Sequence, residues 1–107
     1  MPRYIIKIYD DKFNRDYYME WSTIVDAPVT YGCSLEEFTE YYRAEYGRQG
    51  ILELNERMKR VEEKGISAHP PFDNLQSLFE YNRAGEDETC LDKEGILERY
   101  CRNQLGG

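Results

Sequence analysis

The stretch Arg3-Tyr-Ile-Ile-Lys-Ile-Tyr9, followed after a polar turn by Tyr17-Tyr-Met-Glu-Trp21, decides the fold of this chain. Side chains alternate between the two faces of a strand. This alternation groups Tyr4, Ile6 and Ile8 on one face of the first stretch and Tyr17, Met19 and Trp21 on one face of the second. The two stretches are predicted to pair as an antiparallel hairpin around a solvated turn that runs from Asp10 to Asp16. Because both faces of the first strand are largely apolar, we expect it to be central or covered on both sides. Thr23-Ile-Val25 extends the second strand or starts a third.

Helical periodicity replaces this alternation after Ser34-Leu-Glu-Glu37, which has the sequence of a capping box. Four helices are predicted: one ending at Gly47, one ending at Gly65, one from Asp73 or Asn74 to near Gly85, and one starting at Asp92. Their inward faces are Leu35, Phe38, Tyr42 and Tyr46; Ile51, Leu54, Met58 and Val61; Leu75, Leu78 and Phe79; and Ile96, Leu97, Tyr100 and Cys101. A hairpin followed by helices indicates an α+β fold, a single domain over residues 1–107. Three to four helices would cover one face of a small antiparallel sheet.

Several polar residues have predicted structural roles. Glu53 with Arg57, and Glu56 with Arg60, have the spacing of ion pairs along a helix. Arg99 and Arg102 suit the negative end of the last helix dipole. Asn82 is expected to bond a loop backbone, and Trp21 to close the core.

The composition excludes several function classes. The chain has 107 residues, with 21 acidic and 14 basic side chains and a net charge of −7. This charge has the wrong sign for direct binding to nucleic acid or to an anionic membrane. No apolar run approaches the roughly 20 residues of a membrane helix, and the N-terminus lacks the apolar region of a secretory signal. Cys33, Cys90 and Cys101 form no CxxC pair, so we expect free thiols in the cytoplasm.

The sequence favours neither a metal site, a cofactor nor an enzyme. His69 and the three cysteines are too widely spaced for a typical structural zinc site. Asp10, Asn14 and Asp16 lack the glycine and the closing glutamate of a calcium loop. No nucleophile, phosphate-loop or dinucleotide motif is present. The end Leu105-Gly-Gly107 is shared with ubiquitin-like modifiers, but the rest of the chain is too helical for that fold.

Tyrosines beside acidic residues are the more informative feature. Tyrosine can anchor a partner because its ring supplies contact area and its hydroxyl keeps it soluble. The predicted partner-binding residues are Glu36, Glu37, Glu40 and Tyr41 on the first helix, Tyr81 at the edge of the third, and the loop Glu86-Asp87-Glu88. The alternative interpretation is an ordinary solvated acidic face.

The stretch from Glu20 to Thr30, with Tyr31-Gly32, the helix start SLEEF and Asn82-Arg-Ala-Gly85, resembles small phage and prophage proteins. The resemblance covers about half of the chain and carries no catalytic motif. It implies an inhibitor of host defence, of the anti-CRISPR type, that acts on a nucleic-acid-handling complex by steric or charge mimicry.

The predicted partner is therefore a host protein or ribonucleoprotein with a basic surface, and a homodimer is also compatible with the sequence. An immunity protein or antitoxin that neutralises a basic nuclease would need the same acidic surface. A nucleotide-signal sponge would instead need arginines at a pocket, for which Arg43, Arg48, Arg57, Arg60 and Arg83 are the candidates. A small virion or assembly component is the fourth possibility.

Overall fold

The fold is α+β, as predicted, and begins with a three-stranded antiparallel sheet. The computed structural model describes residues 3–67 and 75–102. Strands β1 (Arg3–Asp10), β2 (Arg15–Ser22) and β3 (Ala27–Pro28) lie in the order β1-β2-β3. The third strand is two residues long and starts after a turn over residues 23–26, so Thr23-Ile-Val25 belongs to neither strand.

The helices follow the sheet. Helix α1 covers Leu35–Lys64, α2 covers Leu75–Glu80, and α3 covers Lys93–Ile96 and continues as a π-helical stretch over Leu97–Arg102. A short 3-10 turn, Glu86–Glu88, precedes α3. The predicted start of the third helix at Asp73 or Asn74 lies outside the described residues.

Glycine divides and ends α1 near the predicted boundaries. Gly47 has a φ of 68° and a ψ of −158°, so the predicted helix end is a sharp kink between residues 35–46 and 48–64. Gly65 ends α1 in the left-handed conformation, which glycine adopts without strain, and donates its N–H to the Val61 carbonyl. By contrast, α2 ends at Glu80 rather than near Gly85. The reason is that the Asn82 side chain, in place of further helical N–H groups, donates to the carbonyls of Leu78 and Leu91.

Helices cover both faces of the sheet, so the predicted single covered face is wrong. One buried cluster comprises Ile6, Ile8, Tyr17, Met19, Trp21, Ile66, Leu78, Ile96, Leu97 and Cys101. The other comprises Ile5, Tyr18, Phe38, Tyr42, Leu54 and Val61. The reason is that β1 and β2 alternate between two faces that both carry large apolar side chains, and each face needs a cover. The expectation that β1 is covered on both sides is correct, and β2 is the central strand.

Both ends of α1 are tied to the sheet. Cys33, just before the helix, exchanges backbone hydrogen bonds with Tyr18, and Gly65 at its end accepts from the N–H of Lys7 at 2.8 Å. Leu35 is 44 % exposed, contrary to its predicted inward position. It lies at the helix start, on the rim of an open groove shared with Ile51 and neighbouring residues of the second half of α1.

One buried ion pair closes the structure at its C-terminal end. Asp10 is fully buried and accepts hydrogen bonds from Arg102, at 3.0 Å from Nε and 2.6 Å from Nη2. The Arg102 Nη1 also donates to Glu94 and Glu98. Arg102 lies in the last turn of the last helix, as predicted for its dipole, and it also pairs with three carboxylates. The prediction that Asp10 lies in a solvated turn is wrong. The cause is that β1 extends one residue past Tyr9, which places Asp10 on the same face as Ile8.

Candidate functional site

The structure brings Tyr81, the acidic loop and the turn between β2 and β3 together. Tyr81 directly follows α2 and is 73 % exposed, and Ile24 in the turn is 68 % exposed. Arg83 links them: its Nη2 donates to the Ile24 carbonyl at 3.2 Å and lies 3.3 Å from the Asp26 carboxylate, while its Nη1 lies 3.5 Å from Glu88. One surface thus holds exposed apolar groups beside charged ones.

We call this the Tyr81 surface and define it by Ile24, Val25, Tyr81, Arg83, and the loop residues Glu86, Asp87 and Glu88. Val25 and all three loop residues are exposed. A cavity of about 340 Å³ lies under it, lined by Tyr81, Thr23 and Asp26 above the buried Trp21. Ile24 and Val25 were not predicted as partner-binding residues, since two apolar residues in a sequence give no sign of whether they are buried.

The acidic loop is fixed by its own hydrogen bonds. The Gly85 N–H donates to the Thr89 carbonyl at 2.7 Å, and both the N–H and the hydroxyl of Thr89 donate to the Glu86 carbonyl. Within the loop Asp87 and Glu88 have positive φ values of 53° and 60°. The loop therefore presents its three carboxylates from a closed turn.

Asn82 anchors the base of the Tyr81 surface and is buried. Its side-chain N–H groups donate to the carbonyls of Leu78 and Leu91, at 2.7 and 2.8 Å. Its side-chain oxygen accepts from the N–H groups of Ala84 and Leu91. The prediction that Asn82 bonds a loop backbone is confirmed, and the neighbouring residues Tyr81 and Arg83 consequently extend from a firmly held backbone.

The charge around this surface is strongly negative. Residues 80–98 carry seven acidic and two basic side chains, a net charge of −5. All seven acidic residues are exposed. Glu94 and Glu98 share the single positive charge of Arg102 with Asp10, and Glu88 lies 3.5 Å from Arg83, so the negative charge is spread along this segment and includes the loop Glu86–Glu88.

The other predicted residues lie on α1, away from the Tyr81 surface. Helix α1 covers one face of the sheet, whereas α2, which precedes Tyr81, packs on the other. Glu36, Glu37 and Glu40 are exposed, as predicted. Glu37 completes the capping box, in which its carboxylate accepts from the Ser34 N–H at 3.0 Å; this bond lowers the pKa of Glu37. Glu40 pairs with Arg43 on the same helix.

Tyr41 is half-buried, and its hydroxyl donates to a carboxylate that the sequence interpretation missed. Glu20 is fully buried and accepts from the hydroxyls of Tyr41, at 2.6 Å, and Tyr46, at 2.7 Å. The Arg3 Nη1 lies 3.3 Å from the same carboxylate. Burial, followed by the bond to Glu20, raises the pKa of both phenols. The available signal was a glutamate inside an otherwise apolar strand, a position that requires buried partners.

Beside this network, three arginines line a cleft of about 480 Å³. They are Arg3, Arg57 and Arg60. The predicted pairs of Arg57 with Glu53 and of Arg60 with Glu56 do not form. Arg57 instead donates to the Tyr42 hydroxyl at 2.6 Å and to the Arg3 carbonyl, and Arg60 Nε donates to the Ser67 carbonyl at 2.7 Å. The physical reason is that the Tyr42 hydroxyl and the Ser67 carbonyl belong to buried residues that need a hydrogen-bond partner, whereas Glu53 and Glu56 are exposed.

The cysteines differ in burial. Cys101 is buried, and burial raises the pKa of its thiol to about 12. Cys33 is half-buried, with its pKa raised to about 11 by the same cause, and Cys90 is exposed. No three potential metal ligands converge in residues 3–67 and 75–102. His69 and Leu105-Gly-Gly107 lie outside the described residues.

No helix in the described part of the chain is both long and apolar enough to span a bilayer. Compared with models of protein families, with curated proteins and with solved structures, the chain gives no match.

Proposed function

We propose that this chain is a non-enzymatic binding protein that docks a partner protein through the Tyr81 surface. The observation that carries the proposal is that Arg83, two residues after exposed Tyr81, bonds both the turn that holds exposed Ile24 and Glu88 of the acidic loop. Interfaces of this kind combine apolar anchors, which supply affinity, with a charged rim, which supplies attraction and register.

The anchors are suited to this role. Burying the side chain of an isoleucine or an aromatic residue contributes about 1.5–3 kcal/mol, and Tyr81 and Ile24 are both mostly exposed in the isolated chain. The Asn82 side chain bonds the Leu78 carbonyl, just before Tyr81, and the Arg83 side chain bonds the carbonyl of Ile24 itself. Docking therefore requires little ordering of the backbone, so less binding energy is lost to conformational entropy.

The charge determines the chemistry of the partner. A surface with three exposed carboxylates attracts a basic surface, and proteins that handle nucleic acid carry such surfaces at their phosphate-binding sites. We therefore propose a partner that handles nucleic acid, with inhibition arising because the acidic protein occupies its phosphate-binding surface. A host-defence complex is the target that the resemblance stated from the sequence implies, and we include it in the proposal. A basic nuclease neutralised by an antitoxin would present the same chemistry.

Site-specific photocrosslinking tests this proposal. Benzoylphenylalanine is placed at position 81 in one preparation and at the exposed position 40 on α1 in a matched control. Each is irradiated in a lysate of the proposed bacterial host, and crosslinked proteins are identified by mass spectrometry. The expected result is one protein captured from position 81 but not from position 40, through peptides in its basic nucleic-acid-binding surface. Added nucleic acid should reduce this capture.

Two results would overturn the proposal. One is capture of a partner from position 40 but not from position 81, which would assign binding to Glu36, Glu37 and Glu40 on α1. The other is the absence of any captured protein at position 81 while the folded protein is intact by circular dichroism.

A further inference from the structure

We infer that the cleft lined by Arg3, Arg57 and Arg60 binds a small phosphate ester that carries a hydrogen-bonding ring, such as a nucleoside monophosphate. This site shares no residue with the Tyr81 surface, so the inference does not rest on the proposed function. The cleft has a volume of about 480 Å³, which is within the range of small-molecule sites.

The three guanidinium groups are held in place before any ligand arrives. Arg3 is fixed by the buried Glu20 carboxylate and the Tyr46 hydroxyl, at 3.3 and 3.2 Å. Arg57 is held by two acceptors and Arg60 by one. Among the described residues, these contacts engage no more than two of the five N–H groups that each guanidinium carries. Planar guanidinium groups with remaining donors are well suited to phosphate oxygens.

Desolvation strengthens the attraction. All three arginines are partly buried, and a charge interaction in a partly buried site is less screened than one at the open surface. Glu20 offsets one positive charge, but it is fully buried, does not line the cleft and also accepts from two tyrosines. The side of the cleft at Arg3, Arg57 and Arg60 consequently presents positive charge to a ligand.

The rest of the cleft suits a ring rather than a second phosphate. Gln49, Leu52, Glu53 and Glu56 line it along α1. Glu53 precedes Arg57 by four residues and Glu56 precedes Arg60 by four, so each carboxylate lies about one helical turn, or about 6 Å, from an arginine of the cleft. Carboxylate and amide oxygens accept hydrogen bonds from ring amino groups and sugar hydroxyls, and they repel additional phosphates. Carboxylates among the arginines favour a small ligand over a nucleic-acid strand, which the net charge of −7 also opposes.

Calorimetric titration with adenosine monophosphate, adenosine and inorganic phosphate tests the inference. Adenosine monophosphate is expected to bind at least about tenfold more tightly than adenosine, because the arginine contacts to the phosphate are lost in adenosine. Arg60→Gln should weaken binding of adenosine monophosphate by about tenfold, equivalent to about 1.4 kcal/mol. The control Arg43→Gln removes the same charge from an exposed position on the same helix and should leave affinity unchanged.

Chemical-shift mapping of the unmodified protein keeps the test independent of any variant. Adenosine monophosphate should shift the backbone amides of residues 52–60 and of Arg3 and Tyr4. The inference is overturned if adenosine monophosphate binds no better than adenosine, if Arg60→Gln and Arg43→Gln weaken it equally, or if the shifted amides lie instead at residues 81–88. Binding of inorganic phosphate as tight as that of adenosine monophosphate would overturn the role assigned to Glu53 and Glu56.

Discussion

Replacing Asp10 by Asn should destabilise the protein by about 3 kcal/mol at pH 7. The Asp10 carboxylate is fully buried and accepts from Arg102 at two atoms. Asparagine keeps one acceptor oxygen but turns an N–H donor toward the guanidinium. Breaking one side of a buried pair costs about 3–5 kcal/mol, and the low end applies because Glu94 and Glu98 remain bonded to Arg102.

The same pair predicts a pH dependence with a defined sign. The hydrogen bonds from Arg102 lower the pKa of Asp10 from 3.8 to about 2 in the folded protein. Because the folded pKa lies below the unfolded one, the contribution of the pair is fully present above about pH 4. It is lost as the pH falls toward 2. The difference in stability between the original protein and Asp10→Asn should therefore narrow over this range.

Urea unfolding followed by fluorescence provides the assay, because the chain has one tryptophan, Trp21, and it is buried. Asp11→Asn is the matched control: Asp11 is exposed, and its replacement should change the free energy of unfolding by no more than about 0.5 kcal/mol. Two results would contradict a stabilising pair between Asp10 and Arg102. One is a loss of unfolding free energy below about 1 kcal/mol for Asp10→Asn, and the other is a stability difference between the two proteins that stays constant between pH 7 and pH 2.5.

Two further predictions concern the packing around Cys101. Gly32→Ala should cost about 1–3 kcal/mol in urea unfolding, because the added Cβ would lie 2.4 Å from the Cys101 Sγ; a variant as stable as the original would contradict the packing described. In the native protein at pH 8, iodoacetamide should modify exposed Cys90 first, whereas Cys33 and Cys101, with pKa values raised to about 11 and 12, should react slowly. Mass spectrometry over time gives the order, and early modification of Cys101 would show that it is accessible.

Local signals in the sequence predicted much of the secondary structure. The alternation of side chains between the two faces of β1 and β2 can be read from neighbouring residues alone. The helix caps at Ser34 and Asp92 are equally local, because each side chain accepts from the backbone N–H three residues later. Gly65 likewise ends α1 as predicted. These features depend on short-range sterics and hydrogen bonds, which a sequence window contains.

Long-range pairing was not predictable in the same way. Asp10 and Arg102 are 92 residues apart, and nothing in either neighbourhood specifies the other. Arg57 has the helical spacing for an ion pair with Glu53, but in the folded chain it donates to the Tyr42 hydroxyl instead. The predicted partner-binding residues lie on two separate surfaces for the same reason. Arg83 links the segment around Tyr81 to the acidic loop, whereas the Tyr41 hydroxyl donates to the buried Glu20 on β2.

The proposal that the acidic loop guides a basic partner is tested by an association rate. The rate is measured between the variant Glu86→Lys/Glu88→Lys and the partner captured at position 81. We expect this variant to associate at least about tenfold more slowly than the original protein at low salt, and its association rate to depend much less on salt concentration. The matched control Glu36→Lys/Glu40→Lys, which reverses two exposed charges on α1, should come much closer to the original protein on both measures. If the loop variant associates as fast as the original protein with the same salt dependence, or if only the α1 variant is slowed, the acidic loop does not guide the partner and the account is contradicted.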